Sequence, residues 1–486
     1  MRSPYPDASV AAPFMAYTQQ RRALYDAIAA RADRETPHWR RTYHQRMSAV
    51  YRFLVPPGQR VLELGCSEGD LLAALAPSYG VGVDFSRQMV ERAAQRYPPL
   101  HFVQADVHDL SLQGPFDVII LSDLVNDLWD VQKVFQQMLP LCMPRTRIII
   151  NSYSHVWEKP LSIVRSLGLA RPQLQQNWLT VDDLAGLLSL ADYEVVRNWQ
   201  EVLWPLPTPG LAEVANKFLV KTWPLNQFAL TNFIVARPMG ALAQRPTEPT
   251  VAIVIPARNE AGNVPAIFAR TPQLGAGTEL IFVEGHSKDN TYEALAQAIQ
   301  AHPERNCTLL RQSGKGKGDA VRAGFAAAKS DILMILDADL TMPPEDLPRY
   351  YELLCSGKAE FVNGVRLVYP MEQEAMRFLN LLGNKFFSLA FSYLLGQPIK
   401  DTLCGTKVLW RDDYLQIARN RAYFGDFDPF GDFDLIFGAA RLNLKIRDLP
   451  IRYRERIYGS TNINRWRHGL LLLRMTAFAA GRMKFV

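Results

Sequence analysis

The stretch DILMILDADL (331–340) decides how the second half of this chain reads. A short, nearly continuous apolar run bounded by polar residues has the pattern of a strand buried on both faces. It carries Asp337 and Asp339, one residue apart, into a polar turn. Two carboxylates so spaced at the C-terminal end of a strand can hold a divalent cation, Mg2+ or Mn2+, against a pyrophosphate.

Other elements fall into place around that strand. Upstream, VAIVIPARNE (251–260) is a second apolar strand, ending in Pro256, Ala257, Arg258, Asn259 and Glu260. ELIFVEGHSKDNT (279–291) is a third, with Glu284 at its end and Asp289 in the following turn. CTLLRQ (307–312) follows, then SGKGKGDAVRAG (313–324), which opens a helix with Lys315 and Lys317. Glycines, basic side chains and a helix N-terminus together make an anion site, suited to phosphate. Helices separate these strands, and that alternation predicts a parallel sheet covered on both faces.

The first half repeats the alternation with different chemistry. VLELGCSEGDLLAAL (61–75) is a strand, a turn with Gly65 and Gly69, and an amphipathic helix, with Glu63 near the strand's end. Glycine permits the tight turn and a close approach of backbone to ligand. VGVDFS (81–86) places Asp84 at the end of the next strand, where a carboxylate can accept both hydroxyls of a ribose. HFVQAD (101–106) ends in Asp106, suited to an adenine amino group, and FDVIILS (116–122) and RIIINSY (147–153) complete the strand set.

At 486 residues the chain is too long for one core. The expected division is a helical extension over 1–50, an α/β domain over 51–238, a Pro-rich linker over 239–249, a second α/β domain over 250–464, and a basic C-terminal helix over 465–486. A net charge of +6 favours an anionic partner. No nucleic-acid-binding signature accompanies it, so a lipid or nucleotide sugar ranks ahead of nucleic acid. Cysteines 66, 142, 307, 355 and 404 are scattered without metal-ligand spacing, which points to reduced thiols and the cytoplasm. Neither a signal peptide nor a membrane-spanning run is read.

Acidic ends on three successive strands, after a glycine turn on the first, resemble a class I S-adenosylmethionine-dependent methyltransferase over roughly 45–240. Ser67 stands where that family usually has a third glycine. The resemblance implies a Rossmann-like sheet and cofactor contacts from Glu63, Gly65, Gly69, Asp84 and Asp106. The loop 122–130 and the segment 151–160 would flank the methyl group, with His155 and Glu158 as base candidates.

The second half resembles inverting family 2 glycosyltransferases with the GT-A fold, and specifically those of the dolichyl- or polyprenyl-phosphate sugar synthase type, over about 250–465. Its motifs continue through FVNGVRL (361–367), KDTLCGTKVL (400–409), a segment with Asp432 and Asp434, and LPIRYRERIYGSTN (449–462). The resemblance assigns Pro256, Ala257, Arg258, Glu260, Glu284, Asp289, Lys317 and Asp337 to a UDP- or GDP-linked sugar, and Asp337 and Asp339 to the metal. Arg366 would meet an acceptor phosphate, and Arg456, Gly459 and Thr461 would close over the phosphates. Gly285 stands where a second acid is usual, which leaves the base open.

The acceptor stays open at this stage. A polyprenyl phosphate is already anionic and calls for cations such as Arg366, Arg454 and Arg456. A glycan hydroxyl calls for a general base, and Asp432 and Asp434 stand where hydroxyl-using relatives keep theirs. MRFLNLLGNKFFSLAFSYLLG (376–396) and RWRHGLLLLRMTAFAAGRMKF (465–485) mix apolar, aromatic and basic residues, with Glu455 the one acid between 452 and 486. That composition predicts peripheral contact with the cytoplasmic face of a membrane. The combined expectation is a bifunctional enzyme that transfers a sugar and a methyl group in surface glycan or glycolipid assembly. The alternative is a glycosyltransferase whose first half only binds.

Overall fold

The computed structural model describes residues 5, 7–30, 38–166, 174–239, 246–366, 368–369, 378–423, 431–454, 456, 458 and 465–485. The chain divides into two compact units, Met1–Gln244 with Phe485–Val486, and Arg245–Lys484.

In the first unit the strands are β1 (Arg60–Leu64), β2 (Tyr79–Asp84), β3 (His101–Gln104), β4 (Phe116–Ser122), β5 (Cys142–Tyr153), β6 (Tyr193–Glu201) and β7 (Thr231–Pro238). They form one sheet in the order β3-β2-β1-β4-β5-β7-β6. Strands β1 to β5 are parallel. The middles of β1 and β4, including Val61, Leu62, Leu64, Ile119, Ile120 and Leu121, are fully buried, as strands covered on both faces must be, whereas the edge strand β3 is only half-buried.

Alternation alone predicts an all-parallel sheet, and β7 departs from it. It lies antiparallel to both β5 and β6. A strand can return antiparallel whenever its connection does not cross back over the sheet face, and alternation does not reveal that. Helix α1 (Ala8–Ala30) and helix α2 (His38–Leu54) precede the sheet. The latter buries Tyr43, Met47, Val50, Tyr51 and Leu54 with Val61, Val118, Ile120 and Phe233 in one apolar cluster. The stretch 1–50 therefore belongs to the same compact unit as the sheet.

In the second unit the strands are β8 (Val251–Ala257), β9 (Thr278–Glu284), β10 (Asn306–Arg311), β11 (Ile332–Ile335), β12 (Phe361–Val365), β13 (Lys407–Trp410) and β14 (Ile446–Pro450). Their order is β10-β9-β8-β11-β13-β12-β14. Strands β8 to β11 pair in parallel, so β8, β9 and β11 end at one edge. Strand β13 is antiparallel to β11 and β12, again against the parallel expectation. The ladder continues one residue past β11, where Leu336 N donates to Val254 O, and Asp337 is the next residue. Among the described residues no helix is long and apolar enough to cross a membrane.

Candidate functional site

The second unit gathers its acids where β8, β9 and β11 end. Asp337 Oδ1 lies 2.5 Å from Lys317 Nζ, at the first residue of the helix Lys317–Ala327. Burial works to raise the Asp337 pKa, but Lys317, with Lys407 and Arg366 behind it, holds the carboxylate below its ordinary range. Asp339 Oδ2 lies 2.5 Å from Arg456 Nη2, and its Oδ1 accepts from Thr341 N and Oγ1. Arg456 also reaches Glu260 Oε1 at 3.5 Å. Glu260 is buried, and desolvation pushes its pKa up to about 7 despite Arg456 and a hydrogen bond from Asn263.

The remaining expected residues shape the rim. Pro256 and Ala257 close β8 opposite Val283 and Glu284, and Ala257 O accepts from Gly285 N. Arg258 is exposed. Glu284 is buried and accepts from Ser287 N at 2.5 Å. Asp289 braces this turn, accepting from Thr291 N and Oγ1 and from Ala261 N. Tyr458 packs where a Cβ on Gly262 would stand, so the segment after β14 folds against the turn after β8.

Two expected site residues, Arg366 and Asp434, have commitments that sequence does not display. Arg366 makes a two-pronged pair with buried Asp401, through Nε at 2.7 Å and Nη2 at 2.8 Å. The role of acceptor-phosphate cation thus falls on a guanidinium already engaged by a carboxylate. Asp434 pairs with Arg421 Nε at 2.8 Å. Asp432, described through its backbone, opens the helix Asp432–Arg441, and the preceding Gly431 rests against Gly318, beside Lys317. Gly459 and Thr461 lie outside the described residues.

Gly405 has a role that sequence reading left without one. A Cβ there would collide with Asp337 Oδ2 and Lys317 Nζ, so only glycine allows that pair to stand. The signal was present in KDTLCGTKVL as a glycine between polar residues, but its partner lies far away in sequence.

Two carboxylates of opposite turn position, each with one cation, fit a divalent metal that takes its other ligands from pyrophosphate and water. Among the described residues no group of three or more acidic, His or Cys side chains forms a metal cage.

The first unit builds a different cleft at the ends of β1 to β4. Gly65 and Gly69 have φ of 73° and 77°. A Cβ on Gly65 would meet Leu124 Cδ1 at 2.8 Å, and one on Gly69 would meet the Phe102 ring at 2.6 Å. Ser67 also sits at positive φ, 49°, in the region that glycine occupies without strain. Its N–H donates to Asp84 Oδ2 at 3.0 Å, while Ser86 N donates to Asp84 Oδ1 at 2.9 Å. Burial raises the Asp84 pKa to about 6 against those donors. Glu63 is buried, burial pushes its pKa up to about 8, and its Oε2 is a buried oxygen without a hydrogen-bond partner. Asp106 accepts from His108 N and pairs with His108 Nδ1 at 2.7 Å. The paired glycines, the ribose-height carboxylate and the orphaned Glu63 oxygen fit S-adenosylmethionine.

Helix α1 roofs this cleft. Tyr25 Oη donates to Asp127 at 2.9 Å, Asp26 accepts from Ser86 Oγ, and the Phe14 ring meets His108 edge-on at 5.3 Å. The base candidates His155 and Glu158 form an exposed pair 3.5 Å apart. A more enclosed carboxylate, Asp123, follows β4 directly, within the loop 122–130 expected to flank the methyl group but not singled out there.

Comparison with known proteins finds a match in each half of the chain. The model of "Glycosyl transferase family 2" matches residues 252–416, and that of "Methyltransferase domain" matches 56–186. Glycosyltransferase AglJ of Haloferax volcanii is 30% identical over 226 residues, which is 46% of this chain and 70% of that protein. The chain belongs to glycosyl transferase family 2. Its first half is a methyltransferase domain. Undecaprenyl-phosphate 4-deoxy-4-formamido-L-arabinose transferase of Pectobacterium carotovorum is 35% identical over 111 residues, or 22% of this chain and 34% of that protein. The alignment thus spans about a third of that relative's length.

Among solved structures, glucosyl-3-phosphoglycerate synthase of Mycobacterium tuberculosis shows 20% identity and a TM-score of 0.36, covering 50% of this chain and 84% of that one. A putative methyltransferase of Haloferax volcanii, in complex with Trm112, shows 16% identity and a TM-score of 0.34, covering 44% and 97%. The family 2 enzyme carries a methyltransferase domain in the same chain, each on its own seven-stranded α/β sheet.

Proposed function

We propose that this enzyme transfers a sugar from a UDP- or GDP-linked donor to a polyprenyl phosphate, with inversion and with a divalent metal, and that its first half transfers methyl groups from S-adenosylmethionine in the same glycan or glycolipid assembly. The observation that carries the first part is the ring of Glu260, Asp337 and Asp339 with Lys317 and Arg456 at one sheet edge. A metal held by Asp337 and Asp339 would stabilise charge on the departing pyrophosphate. Lys317 supplies positive charge at a helix N-terminus, where dipole and ammonium add. Arg456 lies across Asp339 and Glu260, placed to transfer its hydrogen bonds to phosphate oxygens.

A lipid acceptor agrees with the relative named for undecaprenyl phosphate and with one surface of this unit. The helices Phe378–Leu395 and Arg465–Ala479 leave Phe386, Leu389, Leu470 and Leu473 exposed. Lys385, Arg474 and Arg482 are exposed beside them, and neither helix contains an acid. Apolar and cationic residues without acids suit the surface of an anionic leaflet. The second reading is a glycan hydroxyl acceptor, favoured by the seating of Gly431 on Gly318, which starts the Asp432 helix beside Lys317.

The deciding experiment offers a panel of nucleotide sugars with polyprenyl phosphate and Mn2+ or Mg2+, followed by mass spectrometry of the lipid. A glycosylated lipid phosphate, retained in Asp432→Asn, is the expected result. A fall of about 10²-fold or more in Asp432→Asn would show a general base and overturn the phosphate reading. Arg366→Ala is a poor test, because it strands the buried carboxylate of Asp401.

A further inference from the structure

The methyl donor's cleft has a described floor and roof, but its other substrate has no assigned place. Where β4 ends, the chain bends sharply: Asp123 has φ of 54°, strained for a residue with a side chain. The next residue, Leu124, is the one packed against the Gly65 turn. Asp123 therefore lies within two residues of the cofactor loop, on the same strand-end edge as Glu63 and Asp84.

Buried donors converge on its carboxylate from two elements, and a third braces one of them. Tyr43 of α2 donates its hydroxyl at 2.8 Å to Oδ1 and 3.0 Å to Oδ2. Asn151 of β5 donates Nδ2 to Oδ1 at 2.6 Å, and Tyr51 Oη fixes that amide by donating to Asn151 Oδ1 at 2.6 Å. Thr231 of β7 meets the Tyr43 hydroxyl at 3.3 Å, and the Tyr153 ring stacks on Tyr43 at 6.2 Å. Asn151, Thr231, Tyr43 and Tyr51 are buried, whereas Asp123 is half-buried. Burial holds the Tyr43 hydroxyl well above its ordinary pKa, so it stays a donor. The network fixes the angle of a charged group at the mouth of the cleft, rather than satisfying one deep in a core.

We propose that Asp123 is the catalytic carboxylate of the methyl-acceptor site, and that the acceptor is a hydroxyl or amine presented to the half-buried Asp123 carboxylate that Tyr43 and Asn151 hold in place. This rests on the reading that the first unit binds S-adenosylmethionine. An acceptor with an O–H or N–H can donate to Asp123, which aims its lone pair at the methyl carbon. The acceptor's electron pair forms the new C–O or C–N bond as the S–CH3 bond breaks, and that pair stays on sulfur as a neutral thioether. The acceptor's proton passes to the Asp123 carboxylate and then to water. A carboxylate acceptor, already anionic and without a proton to lose, would have no use for such a group.

The test uses two probes that need no knowledge of the acceptor. S-adenosylhomocysteine lacks the methyl group, and sinefungin carries an ammonium where the methyl and sulfonium stand. Both are titrated calorimetrically into the full-length chain and into Asp123→Asn, with Asp84→Ala as a control. Wild type should bind sinefungin about 10-fold more tightly than S-adenosylhomocysteine, the size of one charge-assisted hydrogen bond. Asp123→Asn should erase that preference and leave S-adenosylhomocysteine unchanged, while Asp84→Ala should weaken both ligands together. Equal wild-type affinities overturn the proposal even if Asp123→Asn does not fold. A preference that survives in folded Asp123→Asn also overturns it. Failure of wild type to bind either ligand overturns the cofactor reading along with it, which separates the two failures.

Discussion

Gly405→Ala adds a single methyl group to the second unit and tests the whole arrangement of its site. The new Cβ would stand 2.8 Å from Asp337 Cγ, inside the 3.0 Å floor that real Cβ atoms respect, and closer still to Asp337 Oδ2 and Lys317 Nζ. The carboxylate and the ammonium both belong to the proposed pyrophosphate site, so one of them must retreat. A displacement of roughly 1 Å at a reacting centre lowers rate by about 10²-fold, or about 2.7 kcal/mol in barrier. Initial rates, read as release of UDP or GDP from the donor, should fall by that factor while the circular dichroism spectrum keeps its shape. Turnover at the wild-type rate by Gly405→Ala would refute the claim that the Lys317–Asp337 pair serves the reaction.

Other expectations are separable from that one. Asp339→Asn removes a proposed metal ligand and should abolish sugar transfer in a folded protein; full activity in the presence of a chelator would count against a metal there. Glu63 has a folded pKa of about 8, above its unfolded value near 4.5, so the folded state holds the extra proton between those limits. Stability should therefore fall as pH rises through that window, by at most ~1.4 kcal/mol per pH unit. Glu63→Gln should flatten that dependence in denaturant titrations from pH 5 to 9, and an unchanged slope would place the effect elsewhere. Ser67→Gly should stabilise the first unit by up to about 1 kcal/mol. The left-handed conformation costs a residue with a side chain ~1–2 kcal/mol, and glycine's greater unfolded freedom offsets roughly 0.5–1 kcal/mol of the relief. Lower stability by urea titration would show that the Ser67 hydroxyl, 3.5 Å from Met89 Sδ, outweighs the strain.

Much of this molecule is legible because its informative residues are local. The acids that end β1, β2, β9 and β11 follow apolar runs directly, and each glycine turn sits beside the strand it terminates. What sequence concealed is mostly non-local. Strand β7 reads as an ordinary apolar segment, and its direction depends on the path between residues 201 and 231. Arg366 reads as an available cation until Asp401, 35 residues away, is seen to hold it. Gly405 gains meaning only from Lys317 and Asp337, and Asp123 only from Tyr43, 80 residues before it. Helix α1 has no clear amphipathic period, and its contacts with Asp127, Ser86 and His108 could not be foreseen from its own pattern.

The reversed strand β7 has a consequence for how this polypeptide could come to hold two domains. Because β7 runs against β1 to β5, it ends at the margin of the sheet where those parallel strands begin. Pro238 therefore delivers the chain away from the glycine turn and from Asp84. A truncation that ends the chain just after Pro238 would therefore leave intact the strand ends that carry Glu63 and Asp84. Severing the chain between β7 and β8 would divide none of the described strands, so each half could then be expressed and assayed as a separate polypeptide.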